Sequence, residues 1–157
     1  MVHEYKTSRR VEFADTDMAG IAHFSNFFRY MEATEHEFFR VHGLSLHGHG
    51  PDKMFGWVRV KATCNYLTPA RYQELLEITL LVVEKSSRKL RYEFTFRVID
   101  EAASSDSKHT TGPPIAKGEL VVVHVIRPEG EDAMRSADMP AEVADLIQVT
   151  PSATTTP

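Results

Sequence analysis

The hydrophobic and polar positions change period twice along this chain. From Tyr5 to Phe13 the apolar residues Tyr5, Val11 and Phe13 take odd positions while Glu4, Lys6, Ser8, Arg10 and Glu12 are polar. A period near two predicts a half-exposed strand. The passage ADTDMAG, residues 14–20, then supplies turn chemistry, and from Phe24 the period becomes 3.6 until Gly43, a glycine placed to end a helix of about five turns. Around that helix Phe24, Phe27, Phe28, Met31, Phe38 and Phe39 share one arc, opposite Arg29, Ala33, His36, Glu37 and Arg40. Glu35 falls inside the apolar arc and Glu32 at its edge, so a carboxylate there needs a partner, water or a cleft.

After a Gly- and His-rich loop, residues 41–52, the pattern returns to strands over residues 54–66, 74–85, 90–100 and 115–127. Leu90, Tyr92, Phe94, Phe96 and Val98 alternate with Arg91, Glu93, Thr95 and Arg97. The connections LTPARY, SSRK and the polar loop 101–114 suit antiparallel neighbours rather than helical crossovers, with Pro69 and Pro113 punctuating the turns. Past Arg127 the pattern weakens: PAEVADLIQV reads as a short amphipathic helix, and PSATTTP as a disordered tail by composition. The expectation is an α+β domain over residues 1–128, five antiparallel strands covering one long helix, followed by a C-terminal segment, 129–157.

Composition narrows the function classes. The 157 residues carry a formal net charge of −4, without the basic excess a nucleic-acid surface needs. The N-terminal MVHEYKTSRR has no apolar signal core, and the longest apolar run, residues 78–83 interrupted by Thr79, falls far short of a membrane span. Cys64 is the single cysteine and sits in an apolar run, where it reads as a small buried hydrophobe with no disulfide to form. These features predict a cytoplasmic protein with no membrane partner.

GxSxG, P-loop, GxGxxG and CxxC motifs are all missing, which leaves carboxylate, histidine or backbone chemistry. His42, His47 and His49 lack a carboxylate or Cys at a diagnostic offset, so they are read as a solvated loop and no metal is assigned; His124 reads as a packed strand histidine. The informative passage runs from Ala14 to Asn26, with Asp15 and Asp17 just before a helix start. It has two readings. Asp15 or Asp17 forms an Asx-turn and Ser25 or Asn26 caps the helix, or unpaired N–H groups at the helix start polarise a carbonyl beside a working carboxylate. The residues alone leave both open.

Asp15-Thr16-Asp17, the turn Ala19-Gly20, the pair Ile21-Ala22, Asn26-Phe27, Arg29 and Glu32, with Tyr66-Leu67-Thr68-Pro69-Ala70 further on, resemble the 4-hydroxybenzoyl-CoA thioesterase family of hotdog-fold acyl-CoA thioesterases, including its Tol-Pal-associated bacterial branch. The resemblance runs from about residue 4 to 127. It implies a hotdog fold and hydrolysis of an acyl-CoA to a free acid and coenzyme A, with no metal or redox cofactor. Asp17 would be the nucleophile or general base, the backbone N–H of Phe24 would polarise the thioester carbonyl, and Asp15 would be a hydrogen-bonding neighbour. In the family, basic residues near the Ser86-Ser87-Arg88-Lys89 turn meet the phosphates of coenzyme A, which nominates Arg88 and Lys89; otherwise that turn is a plain hairpin loop. Glu32 matches the acidic helix position. Family members often carry Tyr or His at position 24, whereas this chain has Phe24 with the imidazole shifted to His23, so Glu32 and His23 join the substrate-binding candidates. Family dimers join sheets edge to edge with active sites at the interface and often assemble to homotetramers. Two alternatives are a hotdog dehydratase using His23 with a helix glutamate such as Glu37, and a catalytically silent acyl-binding scaffold.

Overall fold

Every second residue of the central strands is buried, and that alternation builds one sheet. The computed structural model describes residues 1–50, 53–102 and 111–151. Its strands are β1 (Glu4–Arg10), β2 (Gly48–Gly50), β3 (Lys53–Tyr66), β4 (Leu75–Lys85), β5 (Lys89–Ile99), β6 (Thr111–Pro128) and β7 (Arg135–Ser136), with helices α1 (Asn26–Val41) and α2 (Ala141–Leu146). They pair antiparallel in the order β1-β4-β5-β6-β3-β2, and β7 adds to β6 where β5 has ended.

The sheet therefore has seven strands rather than the expected five. The two extra strands, β2 and β7, are three and two residues long and are defined by backbone pairing alone, so no alternating pattern announces them. Pro113 does not sit in a turn but near the start of β6, where the register with β5 shifts twice and a missing ladder donor costs little. Residues 103–110 of the polar loop, and the tail from residue 152, lie outside the described residues.

Helix α1 lies against the concave side of the sheet. Phe27, Tyr30, Met31, Phe38 and Phe39 pack onto Leu76, Ile78, Leu80 and Val82 of β4, the inward residues of β5 (Leu90, Tyr92, Phe94, Phe96), and Leu120 and Val122 of β6. Each such side chain contributes roughly 1.5–3 kcal/mol of burial. The helix starts two residues later than its periodicity suggests: Phe24 precedes it and is exposed, Phe28 is half-buried, and Tyr30 and Thr34 take the buried places instead. Its end follows the glycine signal. Gly43 adopts φ 71°, its N–H bonds Arg40 O at 3.1 Å, and Leu44 N–H bonds Phe39 O at 2.9 Å, the double closure of a Schellman motif. Gly118 on β6 permits the closest helix–sheet approach, because a Cβ there would collide with the Met31 sulfur.

The C-terminal segment crosses the far end of the sheet. Met139, Val143 and Ile147 are buried in the same core, Val2 bridges Ile147, and Met139 N–H bonds Ser87 O at 2.8 Å. The Lys85 ammonium donates to the carbonyls of Ala144 and Ile147, both at 2.7 Å, completing the end of α2. Two charge-assisted bonds to one group predict that Lys85→Met costs about 2 kcal/mol in urea unfolding. A loss under about 0.5 kcal/mol would mean that apolar burial alone holds the segment.

Candidate active site

The chain leaves β1 through buried Val11 into a single 3₁₀ turn, Phe13–Asp15, and Asp15 ties that turn to the helix start. One carboxylate oxygen accepts Glu12 N–H at 2.9 Å and the Tyr30 hydroxyl at 2.8 Å. The Asp15 carbonyl accepts His23 N–H at 2.8 Å and the Asn26 side-chain amide at 2.7 Å. Burial, and then the bond to Asp15, push the Tyr30 phenol above its usual pKa, so it stays a donor. Asp15 thus joins the 3₁₀ turn to the helix start through four hydrogen bonds.

Residues 17–22 form a tight excursion held by backbone bonds. Asp17 N–H reaches Ile21 O at 2.9 Å, Gly20 N–H reaches Asp17 O at 3.0 Å with Gly20 at φ 76°, and Ala22 N–H reaches Ala70 O at 2.7 Å. The Asp17 carboxylate is exposed; Oδ1 accepts Ala19 N–H at 2.8 Å in an Asx-turn, and Oδ2 has no hydrogen-bond partner among the described residues. The two readings of this Asp are therefore compatible: one oxygen shapes the turn while the other remains available.

At the helix start Ser25 is the N-cap but caps nothing with its side chain; its hydroxyl lies 2.8 Å from His23 Nδ1. The Asn26 side chain is spent on Asp15. Phe24 N–H has no acceptor among the described residues, whereas the Phe24 carbonyl accepts the Tyr66 hydroxyl at 2.9 Å and Phe27 N–H at 3.4 Å. An unpaired N–H at a helix start is an open donor at the positive end of the helix dipole.

Asp17 and Phe24 line one cleft of about 390 Å³, with apolar walls from Ile21, Phe27, Leu67 and Pro69. A carboxylate, an open amide donor and apolar walls are the parts an acyl-transfer site needs: a nucleophile or base, charge stabilisation at the carbonyl oxygen, and a place for the acyl group.

The remaining nominated residues do not converge there within one chain. His23 sits beside the cleft with its ring against Phe24, centroids 4.3 Å apart, and does not form the wall. Glu32 lies farther along α1, 3.5 Å from Arg59. Arg88 donates to Asp138 at 2.8 Å and Lys89 pairs with Glu84 at 2.5 Å. Their turn is at the opposite end of β4 from the Asp17 loop, roughly 30 Å away at about 3.3 Å per residue. Glu37 is engaged by Arg9 at 3.2 Å. Among the described residues no three His, Cys, Asp or Glu groups are placed to hold a metal ion; His42 bonds the Phe38 carbonyl, and buried His124 bonds Ala137 O at 3.1 Å. Cys64 is half-buried rather than buried, on a stretch of β3 that has no neighbouring strand on its other side among the described residues.

Glu35, the carboxylate flagged inside the apolar arc, is fully buried and finds its partner in Arg59 of β3. Burial raises its pKa to about 7 against the opposing pull of Arg59, with Glu32 adding to the rise. Tyr92 lies beside it, pushed up in turn by burial and by Glu35, and Glu35 Oε1 and the Tyr92 hydroxyl are both buried without a well-formed hydrogen bond.

Residues 11–147 match the family model of the Thioesterase-like superfamily. The chain belongs to that family. A curated relative from Aquifex aeolicus (strain VF5), described as a "Putative esterase", is 31% identical over 115 residues, 73% of this chain and 88% of the relative. The 4-hydroxybenzoyl-CoA thioesterase of Pseudomonas sp. strain CBS-3 superposes with a TM-score of 0.70 at 16% identity, covering 92% of this chain and 99% of that one. A 1,4-dihydroxy-2-naphthoyl-CoA thioesterase from Synechocystis does so with a TM-score of 0.64 at 19% identity, covering 91% and 97%. These likenesses show the hotdog fold, a curled antiparallel sheet around one long helix, as the resemblance implied.

Sequence reasoning did not assign roles to Tyr30 and Tyr66, whose hydroxyls hold Asp15 and Phe24. A signal existed for the first: Asn26 and Tyr30, one helical turn apart, present two donors on one face. Tyr66 comes from 42 residues beyond Phe24, and no local spacing reveals it.

Proposed function

We propose that this protein is an acyl-CoA thioesterase, hydrolysing the thioester to a free carboxylic acid and coenzyme A. The observation that carries the reading is the pairing of a half-free carboxylate, Asp17, with an open amide donor, Phe24 N–H, on one apolar cleft. Membership of the thioesterase-like family supports it.

In the proposed reaction the thioester carbonyl oxygen approaches Phe24 N–H. Either Asp17 attacks the carbonyl carbon, expels the coenzyme A thiolate and leaves an acyl-aspartyl anhydride that water hydrolyses, or Asp17 takes a proton from water that attacks directly. In both cases negative charge builds on the oxygen facing Phe24 N–H, and one preorganised donor of that kind is worth roughly 3–4 kcal/mol. Carboxylate and water complete the cycle without a metal or redox cofactor.

The proposed assembly is a homodimer, itself pairing into a homotetramer. Beyond Phe55, where β2 stops, β3 has β6 on one side and no strand on the other among the described residues, so a second copy can pair there. That arrangement is proposed to bring Arg88 and Lys89 of one chain to the coenzyme A phosphates held at another chain's cleft, with Glu32 and His23 contacting the acyl end. The engagement of Glu37 by Arg9 weighs against a dehydratase, and the open donor weighs against a silent scaffold.

Thiol release from a panel of aromatic, short-chain and long-chain acyl-CoAs tests the reading. Release from at least one class is expected, and no release from any of them would sink it as stated. Replacing Arg88 and Lys89 together by Ala is expected to raise KM for coenzyme A thioesters more than it lowers kcat, because remote phosphate contacts provide uniform binding. An unchanged KM would remove this turn from the binding site.

A further inference from the structure

We propose that Tyr66 is a positioning residue for the reaction: its hydroxyl, fixed at the end of β3, holds the Phe24 carbonyl and thereby aims the Phe24 N–H into the cleft. This rests on the reading of Phe24 N–H as the donor to the substrate carbonyl.

The loop that carries Asp17 is tied down by backbone bonds up to residue 23. Asp17 bonds Ile21, Ala22 bonds Ala70, Tyr72 N–H bonds Gly20 O at 3.2 Å, and His23 N–H bonds Asp15 O. These contacts stop one residue short of the open donor. On the other side, Ser25 gives the helix no side-chain cap, and the bonds that follow Asn26 N–H to His23 O, namely Phe27 N–H to Phe24 O at 3.4 Å and Phe28 N–H to Ser25 O at 3.2 Å, are long. The Phe24 N–H shares its peptide plane with the His23 carbonyl, which accepts Asn26 N–H at 2.9 Å, so that plane is tied on its carbonyl side, whereas the next plane, with the Phe24 carbonyl, has only the long bond from Phe27 N–H to hold it from the helix. Tyr66 supplies a further restraint at 2.9 Å, closing on the Phe24 carbonyl while His23 N–H is held by Asp15. The open N–H lies between those two clamps.

Tyr66 is suited to this task. It is the last residue of β3, paired with Ala116 of β6, so its backbone belongs to the sheet rather than to a loop. Tyr66 is 46% exposed, but one face of its ring packs edge-to-face on Phe27, centroids 5.3 Å apart, which orients the hydroxyl toward the helix start. Burial, together with neighbouring Cys64, raises its phenol pKa to about 12, so the group remains a donor at neutral pH. Catalysis by preorganised donors is sensitive to placement, because misplacement by about 1 Å can cost about 10²-fold.

Tyr66→Phe keeps the ring against Phe27 and removes only the hydroxyl. For an acyl-CoA that the wild type hydrolyses, kcat is expected to fall about tenfold with KM within about twofold and an unmoved acid limb of the pH profile. In ¹⁵N-labelled protein the Phe24 amide resonance is expected to shift. Unchanged kcat, or a change confined to KM, would overturn the proposal. The amide measurement needs no turnover, so it separates two failures. If the wild type hydrolyses no acyl-CoA, the functional reading fails, and an altered Phe24 amide in the variant still supports the clamp; an unaltered Phe24 amide overturns the clamp whatever the activity.

Discussion

Asp17→Asn is expected to lower thioester turnover by at least about 10²-fold while leaving the fold unchanged, because the substitution removes a nucleophile or base and little else. The side-chain amide oxygen of Asn can still accept Ala19 N–H, the bond that Asp17 Oδ1 makes at 2.8 Å, so the Asx-turn persists. Asp17 is exposed, so the change opens no cavity. Steady-state thiol release, paired with thermal unfolding of both proteins, checks the outcome. Turnover near the wild-type value would exclude Asp17 from the chemistry and shift weight to another carboxylate or to a binding role. A collapsed melting temperature would instead show that the carboxylate is structural.

The second large effect concerns the buried carboxyl beneath the helix. The Glu35 pKa stands at about 7 in the folded protein because burial disfavours the charged form more than Arg59 favours it, whereas an unfolded chain titrates it near 4.5. Between those values the folded state binds the proton more tightly than the unfolded state does. The stability Glu35 contributes is therefore full below about pH 4.5 and is lost as pH rises through 7. Glu35→Gln cannot ionise and lacks this slope. Urea unfolding from pH 5 to pH 8 is expected to show the variant gaining on the wild type by roughly 2–3 kcal/mol across that range. A difference between the two proteins that stays flat with pH would show that Glu35 ionises normally, with Arg59 compensating it fully.

The sequence revealed the parts of this fold that depend on repeated local choices. The alternation in β5 and the 3.6-residue stripe of α1 are each written many times over, and Gly43 ends the helix through a backbone conformation that glycine favours. It was silent where structure rests on one contact between distant residues. β7 is two residues long and exists because Val125 and Ile126 need partners after β5 has ended. Phe24 looked like a core residue because its helical angle is correct, yet the chain enters the helix only after Ser25, leaving that ring in solvent. The Asp17 passage was legible as a site because carboxylates, glycine and helix start lie within a dozen residues. The clamps on it were not, since Tyr66 comes from another strand.

The sheet order carries a consequence for a chain emerging from the ribosome. β3 ends at Tyr66, but its long partner β6 starts at Thr111, and β5 also needs β6 on one side. Until residue 128 has been made, β3 has only the three residues of β2 beside it, and α1 faces an incomplete cover. A nascent chain therefore passes through a stage with a fourteen-residue strand open along nearly its whole length on both sides, the form most exposed to pairing with another chain. Folding of the helix and its sheet is consequently coupled to the arrival of β6, which joins the two halves of the sheet at once.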